Sequence, residues 1–376
     1  IGQESMASVI RDRVKPQLIA NSEIADAWTA LRIAYREQLL RVAAFDLQQS
    51  QPVANLPKIA AELADLAGAA LEVALEIARF ELGTRPDFGR FEPTELAATE
   101  LAVIGMGKAG ARELNYISDV DVIFVAESSS AELDSQRAVE IATKLATRMM
   151  RAIDGTAAEP ALWQVDANLR PEGKSGALVR TLESHLSYYD RWAESWEFQA
   201  LLKARPLAGN FDLGERYVTA LAPKVWSSSK RDGFVESVQK MRQRVTDNIP
   251  TTEVDRQIKL GPGGLRDVEF TVQLLQIVHG RTDESIRVRD TVGALSALSA
   301  ASYIGRSEAS QFAEHYRFLR FLEHRIQLSQ MRRTHLMPTE EGAQRSIARA
   351  VNLKYSAKDL LDQWESVKLE VRSLHQ

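Results

Sequence analysis

Apolar residues in the first ninety positions recur every three to four residues. Trp28, Leu31, Tyr35, Leu39 and Val42 form one stripe, with Arg32, Arg36 and Arg41 lying off it. Ile59, Leu63, Leu66, Ala70, Ala74 and Ile77 form another on an alanine-rich surface. That period belongs to helices packed on one another, so residues 1–90 read as a helical region. The pattern then changes. Leu101 to Ile104 is a short buried-strand run entering Gly105-Met106-Gly107-Lys108-Ala109-Gly110, Val120 to Val125 is a second, and Leu162 to Ala167 a third. Ala131 to Ile153 reads as a helix between them, with Ala138, Ile141, Leu145 and Met149 on one face. Residues 91–215 therefore form an α/β unit. Helical spacing returns in 216–376. A connection from Pro250 to Gly264 leads into a helix from Leu265 to Val278. A later helix carries Phe312, Tyr316, Leu319, Leu322 and Ile326, and a last one Leu360, Trp364, Val367, Val371 and Leu374. His335-Leu336-Met337-Pro338 separates those two.

Composition narrows the function classes. The 376 residues suffice for two or three packed units, and 45% hydrophobic with 26% charged residues is a soluble globular balance. A net charge of −4 supplies no whole-chain basic field, which argues against a nucleic-acid binder. The absence of cysteine removes disulfides, thiolate zinc sites and cysteine nucleophiles, and suits a cytoplasmic protein. No apolar run approaches the roughly 18 residues of a membrane span. The start, Ile1-Gly2-Gln3-Glu4-Ser5, lacks the features of a signal peptide and an initiator Met, so the chain is expected to be a fragment of a longer one.

Gly105 to Gly110 matches G-x-G-x-x-G after a strand, and Glu127 closes the next strand, the pattern of a dinucleotide-binding βαβ unit. Two features oppose that reading. Ala111 to Ser118 has little room for a crossover helix, and the second strand carries Asp119 and Asp121 where such a sheet should be apolar. Those aspartates are two apart, so they share a face, while Val120, Val122 and Phe124 point the other way. Paired carboxylates repel unless a divalent cation lies between them, and hard oxygen donors suit Mg²⁺. Asp166, among apolar neighbours on the third strand, is the natural third ligand. The plain alternative is an edge strand with solvated aspartates.

Beyond Asp166, Arg170 and Lys174 are placed to hold phosphate oxygens, with backbone N–H groups of the Gly173-Lys174-Ser175-Gly176 turn beside them; the alternative is a basic surface loop. A P-loop is excluded because Asn168 stands where its opening glycine belongs. Lys259 to Gly264 is either a phosphate or protein-substrate contact, or a flexible turn before a helix whose Arg266, Asp267 and Glu269 form salt bridges. His279, His315, His324 and His335 lack metal-ligand spacing and read as polar residues of surface or core.

Taken in order, Gly105-Met106-Gly107-Lys108, Glu113-Leu114-Asn115, Ser118-Asp119-Val120-Asp121, Leu169-Arg170-Pro171-Glu172-Gly173, Trp196-Glu197, Gln199-Ala200-Leu201, Lys203-Ala204-Arg205 and Lys259 to Phe270 resemble the bacterial bifunctional glutamine-synthetase adenylyltransferases. That resemblance implies an α+β, mainly helical chain. Its core would be a nucleotidyltransferase fold of the DNA polymerase β-like kind with a mixed sheet, flanked by an N-terminal helical region and a C-terminal helical bundle. Proteins of this family carry two related halves. One attaches AMP to a tyrosine of glutamine synthetase; the other removes it with inorganic phosphate and gives ADP. A basic residue at Arg266 resembles the removing half, as does Gly107 to Tyr116, in the form seen in actinobacteria. Asn168, Ala109 and Ala111 depart from the commoner pattern, and Asn168 weakens the cationic surroundings expected of Asp166.

The resemblance further implies that Asp119, Asp121 and Asp166 bind one or two Mg²⁺ ions, with Mn²⁺ able to substitute. Gly107, Lys108, Ser118 and Ser175 would line the nucleotide site, and Arg170 and Lys174 would hold phosphate. Adenylylated glutamine synthetase is then the protein substrate, a PII-type signalling protein the regulator, and phosphate and ADP the small molecules, with no nucleic acid or membrane partner. The competing functions are ATP-dependent attachment by the same fold, an NAD-binding oxidoreductase, and a non-catalytic regulatory module.

Overall fold

The computed structural model describes residues 2–19, 23–84, 91–231, 233, 234, 236, 239, 240 and 249–375. The boundary expected at residue 90 lies outside them. Helices α1 (Gln3–Ile19), α2 (Ile24–Leu47) and α3 (Pro52–Thr84) form the N-terminal layer. α3 is buried on nearly every side from Leu63 to Ala78, because its alanines let α1, α2 and the sheet-covering helix α6 (Ser135–Asp154) all approach it.

Short α4 (Pro93–Ala98) leads into the sheet, ordered β3-β2-β1-β5. Strands β1 (Thr99–Gly105) and β2 (Val120–Ser128) are antiparallel, and β5 (Arg205–Gly209) is antiparallel to β1. On its other edge β2 pairs in parallel with β3 (Val165–Asp166) and then β4 (Val179–Arg180). The third strand is thus shorter than its sequence suggests, since β4 takes over the rest of that edge. Both faces are covered. Leu101, Val103, Val120, Val122 and Phe124 pack toward α3 and α6. Ala102, Ile104, Ile123 and Val125 pack into a second core with residues of α7 (Leu182–Arg191), α8 (Ser195–Leu201) and α9 (Phe211–Ser227). α9 runs continuously through the boundary expected at 215/216 and packs on β1, β2 and β5.

The antiparallel β1–β2 pair overturns the dinucleotide reading. A βαβ unit needs parallel strands joined by a crossover helix, whereas Gly107–Gly110 forms one four-residue helix, α5, before the chain turns back. Gly110 serves packing: a Cβ there would lie 1.9 Å from the Lys203 carbonyl oxygen.

The C-terminal bundle comprises α10 (Leu265–His279), α11 (Thr291–Ala300), α12 (Arg306–Gln330), α13 (Glu341–Val351) and α14 (Ala357–His375), around Leu265, Phe312, Leu319, Leu322 and Trp364. α12 also turns a buried polar stripe to the Ala111–Ser118 segment. Arg325 donates to Asp46 Oδ1 at 2.8 Å, Tyr116 donates to Asp46 Oδ2 at 2.7 Å, and Gln327 Oε1 accepts from the Ile117 N–H at 3.0 Å. No helix among the described residues is long and apolar enough to cross a membrane.

Candidate active site

The β2–β3 register sets Asp121 directly beside Asp166, and Asp119 immediately precedes β2. One carboxylate oxygen from each of the three lies within 4.8 Å of the others, and all three side chains are half-buried. The loop after β3 fixes Asp166, whose Oδ1 accepts from the Asn168 N–H at 2.8 Å. Gly107 closes over Asp121: its φ is +50°, and a Cβ there would stand 2.8 Å from Asp121 Oδ2. Burial first, then Asp119 and Asp166, push the Asp121 carboxyl up to about 6, against the pull of Lys259 and Arg333. Arg333, on the segment after α12, pairs with Asp119 at 2.9 Å. Three hard donors that resist sharing negative charge form a cluster suited to a divalent cation.

A cleft of about 320 Å³ opens from Gly107 and Asp121. Two helical faces wall it, each at the i, i+3, i+4, i+7 spacing of one helix side. From α8 and the turn after it come Trp196, Gln199, Ala200 and Lys203; from α10 come Arg266, Glu269, Phe270 and Gln273. Lys108, Lys259 and Leu169 complete the wall. Lys259, Lys203, Lys108 and Arg266 thus bring positive charge beside the carboxylates.

Buried anions hold two of these lysines. Lys203 donates to Glu113 Oε2 at 2.9 Å, and Glu113 Oε1 accepts from the Thr291 N–H at 2.8 Å. Burial pulls the Lys203 ammonium down, but Glu113 and Glu269 outweigh it and leave it above its ordinary value. Lys108 donates to both Glu323 oxygens at 3.1 and 3.0 Å, and His335 Nδ1 lies 2.6 Å from Glu323 Oε1. Burial works against the Glu323 carboxylate, yet Lys108, Arg320 and His335 hold it well below its usual range. Burial, with Arg320 close by, draws Lys108 down to about 7 despite that pairing. Burial likewise works against the half-buried Glu269 carboxylate, but Lys203, Lys108 and Lys259 hold it low.

Residues 2–219 match the family model described as glutamate-ammonia ligase adenylyltransferase. The chain belongs to that family. Residues 235–376 match a model described as PII-uridylyltransferase. Relatives named bifunctional glutamine synthetase adenylyltransferase/adenylyl-removing enzyme include one from Leifsonia xyli, 62% identical over 93% of this chain and 35% of its own length. Another from Streptomyces avermitilis is 54% identical over 94% and 34%, and one from Bifidobacterium longum 47% identical over 95% and 34%. The chain therefore spans about a third of the length of the curated relatives it matches.

In this member of the adenylyltransferase family, the sequence-derived residues fall into two groups. Asp119, Asp121, Asp166, Gly107, Lys108 and Ser118 gather at the cleft or its carboxylates, Ser118 Oγ lying 3.3 Å from Asp119 Oδ1. Arg170, Lys174 and Ser175 do not line it. Arg170 spends its guanidinium on the carbonyl oxygens of Ala167, Gly176 and Lys174, closing its own loop, and Lys174 and Ser175 are exposed. The Lys259–Gly264 segment divides its work. Lys259 faces the cleft, while Gly263, at φ +75°, presses on α14, where a Cβ would meet the Lys368 carbonyl oxygen at 2.1 Å. Among the histidines, His279 stacks on Tyr303, His315 pairs with Glu370, and His335 belongs to the Lys108 network. Sequence reasoning assigned no role to Glu323, Arg333, Gln199 or Gln273. The cleft-facing spacing of 196, 199, 200 and 203 was visible, but a polar stripe of that kind also describes a solvated helix face.

Proposed function

We propose that this chain removes AMP from the modified tyrosine of glutamine synthetase by phosphorolysis, in control of nitrogen assimilation. The observation that carries this reading is the convergence of three carboxylates on one edge of a cleft lined by Lys108, Lys203, Lys259 and Arg266. Asp119, Asp121 and Asp166 would hold one or two Mg²⁺ ions, or Mn²⁺ in their place. A cation bound there supplies neutralisation of the phosphoryl charge and a lowered barrier to attack by an anion. Lys203 and Lys259 would orient the phosphates, and buried Glu113 keeps Lys203 charged and in place. An oxygen of inorganic phosphate attacks the adenylyl phosphorus, the bond from phosphorus to the tyrosine oxygen breaks, and the phenolate takes up a proton. A phenol with a pKa of about 10 leaves without a dedicated general acid, so positioning and charge stabilisation carry the reaction.

Arg266 supports the removing direction. Besides resembling that half in sequence, it lines the cleft, where a further cation suits a separate phosphate nucleophile. A PII-type protein is the proposed regulator and the cytoplasm the proposed location. The test is product chemistry. Adenylylated glutamine synthetase, Mg²⁺ and radiolabelled phosphate should yield labelled ADP with this chain. Label transfer from ATP onto unmodified glutamine synthetase, with no ADP formed by phosphorolysis, would assign the attaching direction instead.

A further inference from the structure

Arg333 reaches the carboxylate trio from the solvent side. Its Nη2 lies 2.9 Å from Asp119 Oδ2, and its side chain is 50% exposed against 19% for Asp119. Ser118 Oγ lies 3.3 Å from the other Asp119 oxygen, so both oxygens of this carboxylate are engaged. The Arg333 charge also acts on Asp121, and so bears on two of the three carboxylates. The segment that presents it is held on either side. α12 ends at Met331, in the left-handed region at φ +49°, where the Met331 N–H donates to the Gln327 carbonyl oxygen at 2.8 Å. Two residues beyond Arg333, the His335 carbonyl oxygen accepts from the Ile258 N–H at 2.9 Å, and His335 Nδ1 lies 2.6 Å from Glu323 Oε1. Between those anchors the long, exposed Arg333 side chain can swing away with the backbone in place.

We infer that Arg333 is an internal competitor of the divalent cation: its guanidinium neutralises Asp119 when no cation is bound, and it must give up that carboxylate when one binds. The inference rests on the reading of Asp119, Asp121 and Asp166 as a cation site and deepens it. The sign of the effect follows from charge. Neighbours that strengthen a metal ligand add electron density to it, as a carboxylate does behind a histidine. A guanidinium does the reverse, because it occupies a donor oxygen and repels a dication arriving beside it. An ion pair this exposed is weak, so the competition raises the cation concentration the site needs without closing it. Arg332 supplies the control. It is exposed and carries the same charge one residue away, but its Nε donates to Gln330 Oε1 at 2.8 Å.

Calorimetric titration of the 376-residue chain with Mn²⁺ alone, at neutral pH and low ionic strength, tests this directly. Arg333→Gln should bind Mn²⁺ about three- to fivefold more tightly than the parent, the scale set by an exposed ion pair. Arg332→Gln loses the same charge and should stay within about twofold of the parent. Arg333→Lys keeps a competing cation and should also stay near the parent. Thermal melting gives a second readout and checks that each variant folds. Without metal, Arg333→Gln should melt no higher than the parent, yet a fixed Mn²⁺ concentration should raise its transition further, because tighter binding to the folded state stabilises it more. Unchanged or weaker Mn²⁺ binding in a folded Arg333→Gln variant, or an equal gain in Arg332→Gln, overturns the competition and leaves the cation site standing. Failure of both the parent and Arg333→Gln to bind Mn²⁺ overturns both.

Discussion

Asp121 shows how the site resists being ionised without a counter-charge. Burial first, then Asp119 and Asp166, raise its carboxyl from an ordinary value of about 4 to about 6. The unfolded chain releases this proton more easily, so Asp121 takes stability away from the fold as pH rises from about 4 through 6. Asp121→Asn removes that penalty. Its metal-free melting transition at pH 7 should rise, by about 3 kcal/mol of stability, even as cation binding is lost. Lys108 works in the opposite sense. Drawn down to about 7, it carries its charge below that pH and loses it above. ADP affinity should therefore fall between about pH 6 and about pH 9, and Lys108→Arg, whose guanidinium stays protonated, should flatten the dependence. A parallel fall in both proteins, measured by calorimetric titration, would remove Lys108 from the anion site.

At the scale of elements, α12 is the least expected part. Its apolar stripe of Phe312, Tyr316, Leu319, Leu322 and Ile326 was plain from spacing and is buried in the bundle. Its other side carries Arg320, Glu323, His324 and Arg325, all buried. Charges at such positions ordinarily face water, and only partners far away in sequence, such as Lys108 and Asp46, keep these inside. No local pattern reveals that. Glu323→Gln should cost about 3–5 kcal/mol in urea denaturation, since it leaves Lys108 and Arg320 buried without their anion; a loss below about 1 kcal/mol would mean that the network contributes little. β2 was legible for the converse reason. Alternation over Val120, Asp121 and Val122 is a period-two signal, and the structure places the valines and the aspartate on opposite faces. The loop after β3 looked like a phosphate site because it is rich in cations and glycine. Its Arg170 instead donates to the carbonyl oxygens of Ala167 and Gly176 within the same loop.

At the scale of the molecule, the cleft lies where three bodies meet. The sheet and the short helix α5 that follows β1 supply Asp121 and Gly107, α8 and its following turn supply Trp196 and Lys203, and the C-terminal bundle supplies Arg266, Glu269 and the anion that holds Lys108. The mixed sheet and the grouping of the three carboxylates were readable from the chain. The convergence of two polar helix faces was not, because it depends on how α8 and α10 pack together. The account stands on those carboxylates holding a divalent cation beside the cleft. Electron paramagnetic resonance of Mn²⁺ titrated into the chain at neutral pH measures this most directly. Saturable loss of the free-ion signal, absent in Asp121→Asn and altered by ADP, is the result predicted; a free-ion signal untouched by the parent chain, or equal binding by Asp121→Asn, would contradict it.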